Sequence, residues 1–178
     1  MSMHSWLKRV LLAGLCGPAF LLGGSALGES PGLGVPLNRA ELDALQVSIL
    51  PDGSGLPPGS GSVQAGASVF ARHCAACHGI DGTGSTNDAL VGGAGSLTGP
   101  RPVLTVGSYW PWATTLFDYV RRAMPYTSPG TLSDGEVYSV TAYVLFLNGI
   151  VAEDSVLDAE RLAAIRMPNV DGFYQAYP

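Results

Sequence analysis

The sequence predicts an all-α fold. Apolar residues recur at helical spacing behind recognisable start signals, strand-like alternation is not convincing anywhere, and turn residues punctuate the helical runs. The first firm helix begins at Ser62, a good N-cap, with Val63, Ala67, Phe70 and Ala71 on one face, and it runs into Cys74. Gly79 to Gly99 is loop, because Gly recurs at 79, 82, 84, 92, 93, 95 and 99. A second helix is expected from Pro111, a favoured first helical residue. Its apolar positions are Ala113, Leu116, Phe117 and Val120, and Pro125 ends it near Met124. A third starts at Ser133, which forms a capping-box pattern with Glu136, and stops at Asn148-Gly149. Short helices are expected at Arg39 to Gln46, capped by Asn38, and around Asp158 to Ile165.

The chain has 178 residues, the size of one ordinary domain. Its apolar content of 47% argues for a packed core, and its 13% charged content is about half the usual share. A net charge of −5 excludes a general nucleic-acid binder, which needs a basic face to displace counterions.

Residues 1–28 read as a secretory signal peptide. Lys8 and Arg9 precede an apolar run from Val10 to Leu27, and Ala26 and Gly28 supply the small residues before a cut at Glu29. The alternative is an uncleaved anchor, although Gly14, Gly17, Pro18, Gly23 and Gly24 interrupt the run. A lipid-anchor reading at Cys16 is disfavoured by Leu15. Cleavage removes the only Lys and leaves Cys74 and Cys77 as the only cysteines. Val137 to Val151, the longest remaining apolar stretch, is too short to span a bilayer, which takes about 20 residues. No stable membrane insertion is expected after cleavage, and the mature protein should be periplasmic.

Residues 29–61 form a Pro- and Gly-rich arm, 62–150 the motif-bearing domain and 151–178 a C-terminal extension. The arm reads as a loose linker or as a strap over a partner, since it carries Leu42, Leu45, Val47, Ile49, Leu50 and Leu56.

Cys74-Ala75-Ala76-Cys77-His78 carries the chemistry. Two thiols at this spacing add to the two vinyl groups of one haem, and the next residue sets an imidazole over the iron. A zinc site needs four ligands, but His73 and His78 crowd the Cys pair and no second ligand pair follows. A thioredoxin-like pair needs a βαβ setting that is absent, and a plain disulfide has no use for His78. Gly79-Ile-Asp-Gly-Thr-Gly is not a phosphate loop, because no strand precedes it.

The haem iron needs a second axial ligand, and imidazole plus thioether is the usual electron-transfer pair. Met124, at a helix end before Pro125, is the best placed. Met167, also before a Pro, and His73, next to Cys74, are the rivals.

The helix before Cys74, the CAACH motif, the Ala123-Met124-Pro125 turn and the capped helix at Ser133 together resemble a class I cytochrome c. In that family the first and last helices cross through a small residue and an aromatic pair, roles that Gly66, Phe70 and Tyr143 match by position. A closer resemblance rests on Thr105-Val-Gly-Ser-Tyr-Trp-Pro-Trp, Glu136-Val-Tyr-Ser-Val-Thr-Ala-Tyr, Met167-Pro-Asn-Val-Asp-Gly-Phe and the arm at Pro51 to Gly61. These segments are similar to the cytochrome c subunit of molybdenum-dependent sulfite dehydrogenases and of the sulfane dehydrogenase of the Sox system. Some sulfane dehydrogenase cytochromes carry two haems, whereas one attachment motif here implies one.

The resemblance implies an electron-transfer subunit without a catalytic site of its own. A molybdopterin-containing sulfite or sulfane dehydrogenase subunit would reduce the haem, and a downstream acceptor such as another cytochrome c would reoxidise it. The alternative is a freestanding soluble carrier. Asp118 with Arg121 and Arg122 reads as pairing along one helix, or as placing an Arg near the haem propionates or the partner. Tyr109, Trp110 and Trp112 are expected at a haem edge or in the core. The arm and the segment from Asn148 onward are expected to lie against the partner, exposing Leu50, Leu56, Val156 and Phe173 to it. Deletion of the arm would then leave the haem spectrum intact, since no proposed ligand lies there.

Overall fold

The computed structural model describes residues 33–45, 48–174 and 176. The export-signal reading of residues 1–28 and the start of the arm therefore lie outside the described residues. The chain divides into two compact units, Met1–Asn38 and Arg39–Pro178. Residues 33–38 of the first unit have no regular secondary structure.

The second unit is mostly helical. Its elements are α1 (Arg39–Leu45), β1 (Ser60–Ser62), α2 (Val63–His73), α3 (Ala75–His78), a 3-10 turn (Ser96–Thr98), α4 (Ala113–Ala123), α5 (Asp134–Leu147), β2 (Val156–Asp158) and α6 (Ala159–Ala163). The start signals act as their chemistry requires. Ser62 caps α2 by accepting from the Ala65 amide at 3.1 Å. Ser133 and Glu136 close a reciprocal capping box at α5, and Asn148 ends that helix. Asp158 caps α6. At α4 the helix begins two residues later than expected, because Trp112 remains extended at φ −136° and ψ 129°.

The expected absence of strands needs correcting. β1 and β2 pair antiparallel, with Gly61 opposite Leu157. Ser-Gly-Ser carries no strand signal of its own. It pairs because the chain after α5 returns beside it, and the Val63 amide donates to Ser155 O at 3.1 Å to continue the ladder.

The core is built on the crossing of α2 and α5. Gly66 makes the crossing close: a side-chain carbon there would lie 2.7 Å from the Tyr143 Cβ and closer still to the Ser139 carbonyl. Phe70 packs on Tyr143 with ring centroids 5.4 Å apart, so the three residues meet as the family resemblance implies. Phe117 and Tyr138, both fully buried, pack with tilted rings at a centroid distance of 4.4 Å and join α4 to α5.

The later part of the arm packs on its own chain. Ile49 is buried, its amide donates to Asp118 Oδ1, and Tyr138 OH donates to Pro57 O at 2.8 Å. The C-terminal extension does the same, burying Leu157, Leu162 and Met167. Of the apolar residues expected at a partner face, Leu50, Val156 and Phe173 stay exposed while Leu56 is half-buried. Ile49, Leu157, Leu162 and Met167 therefore add to the core, which a small helical domain needs because it otherwise buries too little surface, while Leu33, Val35, Leu37, Leu42 and Leu50 of the arm stay exposed.

Candidate functional site

A cleft of about 690 Å³ opens between the end of α2, α3, the loop through Leu90, and α4 and α5. Cys74, Cys77, His78 and Met124 all line it. Three of them come from one turn of chain. Cys74 caps α3, its carbonyl accepts from the amides of Cys77 and His78 at 3.1 and 3.0 Å, and this short helix presents both thiols and the imidazole together. Met124 arrives from the other side of the sequence. It terminates α4, with its amide still bonded to Val120 O at 3.1 Å and its own backbone already extended at φ −120° and ψ 148°. That break takes the thioether off the helix.

The imidazole is oriented from behind. His78 Nδ1 lies 2.8 Å from Asp88 O. A carbonyl oxygen only accepts, so Nδ1 carries the proton and Nε2 keeps its lone pair for a metal. The loop that supplies Asp88 O is itself pinned. Gly84 N–H donates to His78 O at 2.8 Å, Asn87 N–H to Cys77 O at 2.9 Å, and Leu90 N–H to Gly82 O at 2.8 Å. Asn148 adds a bridge from α5 by donating to Leu90 O at 3.1 Å. Burial, with a smaller contribution from Cys77, pushes the Cys74 thiol up to about 11. Before attachment Cys74 is therefore a neutral thiol at neutral pH.

The rival ligands separate in the structure. Met167 is 1% exposed within the core and is not on the cleft wall, whereas the exposed His73 stands at the cleft rim. Among the three aromatics expected at a haem edge, only Trp110 lines the cleft. Tyr109 instead packs edge-on against Phe173 at 5.2 Å, and Trp112 is part-exposed outside the cleft. Tyr119 was not anticipated. It meets Trp110 edge-on at 5.7 Å at the cleft wall, and its place between Leu116 and Val120 on the helix that leads to Met124 was the available signal.

The charged trio also resolves. Arg122 pairs with Asp118 through both nitrogens of its guanidinium edge, but Arg121 reaches across to Asp134 on α5 at 2.8 Å. The expected Asp118–Arg121 pair does not form, because the two residues leave α4 in directions that favour different partners.

These features fit a covalently held haem. The walls are largely apolar, with Phe70, Leu90, Val106, Leu116 and Val144 among them, and the volume lies in the range of small-molecule sites. The donor set is two adjacent thiols, one imidazole with a free Nε2 and one thioether.

Comparison with known proteins agrees with this chemistry. The family model described as cytochrome C oxidase, cbb3-type, subunit III matches residues 61–144. A chain in the crystal structure of the sulfane dehydrogenase SoxCD from Paracoccus pantotrophus is 47% identical, with a TM-score of 0.75. The match covers 82% of this chain and 72% of that one. No curated protein matches the chain. Fold and cleft thus define a class I c-type cytochrome that carries covalently bound haem c and transfers electrons. Within that class, the chain belongs to the family of the sulfane dehydrogenase cytochrome.

Proposed function

We propose that this protein is the haem subunit of a molybdenum-containing sulfite or sulfane dehydrogenase. It takes electrons from the molybdopterin-bearing subunit and passes them to a downstream acceptor such as another cytochrome c, in the periplasm after export. The observation that carries this reading is the 47% identity, across most of both chains, to a chain of a sulfane dehydrogenase. In this reading Cys74 and Cys77 would hold the haem covalently, and His78 and Met124 would ligate its iron.

The bound haem supplies a one-electron couple; the chain supplies its setting. Cys74 and Cys77 fix the group at two points, so its orientation does not depend on affinity. Asp88 O holds the His78 proton at Nδ1 and so aims Nε2. The Met124 thioether, a softer and less basic donor than imidazole, favours the reduced iron and raises the potential. Phe70, Val106 and Val144 exclude water from the cleft, which further disfavours the more highly charged oxidised state.

A freestanding carrier is favoured by one observation: Ile49, Leu157, Leu162 and Met167 are buried in this chain's own core and need no partner to cover them. The exposed Leu50, Val156 and Phe173 favour the subunit reading. The deciding experiment purifies the protein from its native source under mild conditions, measures molybdenum in the haem-containing fraction, and follows haem reduction on addition of sulfite or a sulfane donor. Molybdenum in fixed ratio to haem, with reduction by either substrate, is expected. A haem fraction free of molybdenum and unreactive to both would overturn the subunit reading.

A further inference from the structure

The helix that delivers Met124 has two working faces. At 3.6 residues per turn, Leu116, Tyr119 and Val120 form one stripe, which lines the cleft together with Met124. Thr114, Asp118 and Arg122 form the opposite stripe, and the arm meets it at Thr114 and Asp118 while Arg122 stays exposed. Asp118 is 7% exposed. Its Oδ1 accepts from the Ile49 amide at 3.2 Å and from Arg122 Nε at 3.0 Å, while Oδ2 accepts from Arg122 Nη2. One turn earlier, Thr114 Oγ1 donates to Pro51 O at 3.3 Å.

The covering segment is stiff in its own right. Leu50 N–H donates to Ser54 O at 2.9 Å, Gly53 N–H to Leu50 O at 3.0 Å, and Ser54 N–H to Asp52 Oδ1 at 2.8 Å. Gly53, at φ +88°, fits against Ala163 of α6, where a side-chain carbon would come within 2.8 Å of the Ala163 Cβ. A buried carboxylate that accepts three hydrogen bonds and joins segments 69 residues apart is costly to leave unpaired.

We propose that Asp118 is a positioning residue for the axial ligand. By locking the Ile49–Pro51 segment to the back of α4, it fixes the helix against the cleft and holds Met124 in place at the helix end. This proposal rests on the Met124 reading above. It also reverses the expectation that the arm is neutral to the haem, because the arm becomes the back wall of the ligand helix.

The test uses full-length ferric holoprotein and reads the sulfur-to-iron charge-transfer band as a function of temperature, together with global unfolding. Asp118→Ala is expected to lower the ratio of band-bearing to band-free protein about tenfold at temperatures where the fold persists. Thr114→Val should shift it less, in the same direction. Ser133→Ala, which weakens the protein through the α5 cap, should keep the band until global unfolding. If Asp118→Ala retains the wild-type band profile, or if Ser133→Ala loses the band in the same proportion to its lost stability, the positioning role is overturned. Should Asp118→Ala fail to accumulate, Thr114→Val decides alone: a wild-type profile refutes the brace. Met124→Ala separates the two readings, because persistence of its band overturns the ligand assignment whatever Asp118 does.

Discussion

Replacing Gly66 by Ala tests the helix crossing on which the site is built. Helix preference alone favours Ala, by about 1 kcal/mol. The packing opposes it. The added carbon would lie 2.7 Å from the Tyr143 Cβ and nearer still to the Ser139 carbonyl, which is helix backbone and cannot rotate aside. Ordinary carbon contacts are about 3.5–4.0 Å, so α2 and α5 must part by roughly 1 Å, and a gap of that size forfeits a quarter to a half of each dispersion contact. Overpacking of this kind costs about 1–3 kcal/mol, occasionally more. The rigid neighbour puts this site at the upper end, and subtracting the propensity gain leaves a net loss of about 2 kcal/mol. For a chain of this length that is a fall in Tm of about 4–8 °C. Thermal unfolding of the holoprotein, followed by far-ultraviolet circular dichroism, measures it. A variant as stable as wild type, or more so, would refute the argument that Gly66 is required by close approach rather than tolerated.

Haem should remain with the polypeptide after denaturation in acid and organic solvent; quantitative extraction would sink the covalent reading of Cys74 and Cys77. Met124→Ala should abolish the charge-transfer band and lower the potential, whereas Met167→Ala should keep the band yet lose about 2–5 kcal/mol of stability, because Met167 fills the core; the reverse pattern would move the ligand. The Ser133 amide and hydroxyl, with lesser help from Arg72 and His73, hold the Glu136 carboxyl below its ordinary value. Its folded-state pKa is depressed, so its contribution to stability is fully present above the unfolded value and is lost as pH falls through the folded one. Wild type should therefore exceed Glu136→Gln in stability at neutral pH and converge with it in acid, as measured by urea unfolding across the carboxylate range; a gap independent of pH would refute the charge-based account. Deleting residues 29–58 removes the Ile49, Pro51 and Pro57 contacts, and should lower both the Tm and the persistence of the charge-transfer band; an unchanged band would return the arm to the status of a linker.

Features encoded by local chemistry were legible in the sequence, and features encoded by distant contacts were not. Cys74, Cys77 and His78 are proposed from a five-residue spacing, and the Ser62 and Ser133 caps join residues three apart, so each could be read without the fold. Met124 was inferred from the break at Pro125, and it does line the cleft with the other three. The β1–β2 pairing escaped notice because Ser60-Gly61-Ser62 has no strand character until β2 lies beside it. Trp110 could not be told from Tyr109 and Trp112, because neighbouring residues ahead of a helix point in directions that only the folded loop fixes. Asp118 shows the limit most clearly. Its pairing with Arg122 is an i,i+4 relation visible in the sequence, but an ordinary exposed pair of that kind is worth only about 0.3–0.5 kcal/mol and would carry no function. What changes its meaning is the Ile49 amide, which comes from the arm and helps bury the carboxylate. The same contact gives part of the Pro-rich segment a use within its own chain: Ile49 is buried against the back of the helix that ends in Met124, while Leu42 and Leu50 stay exposed.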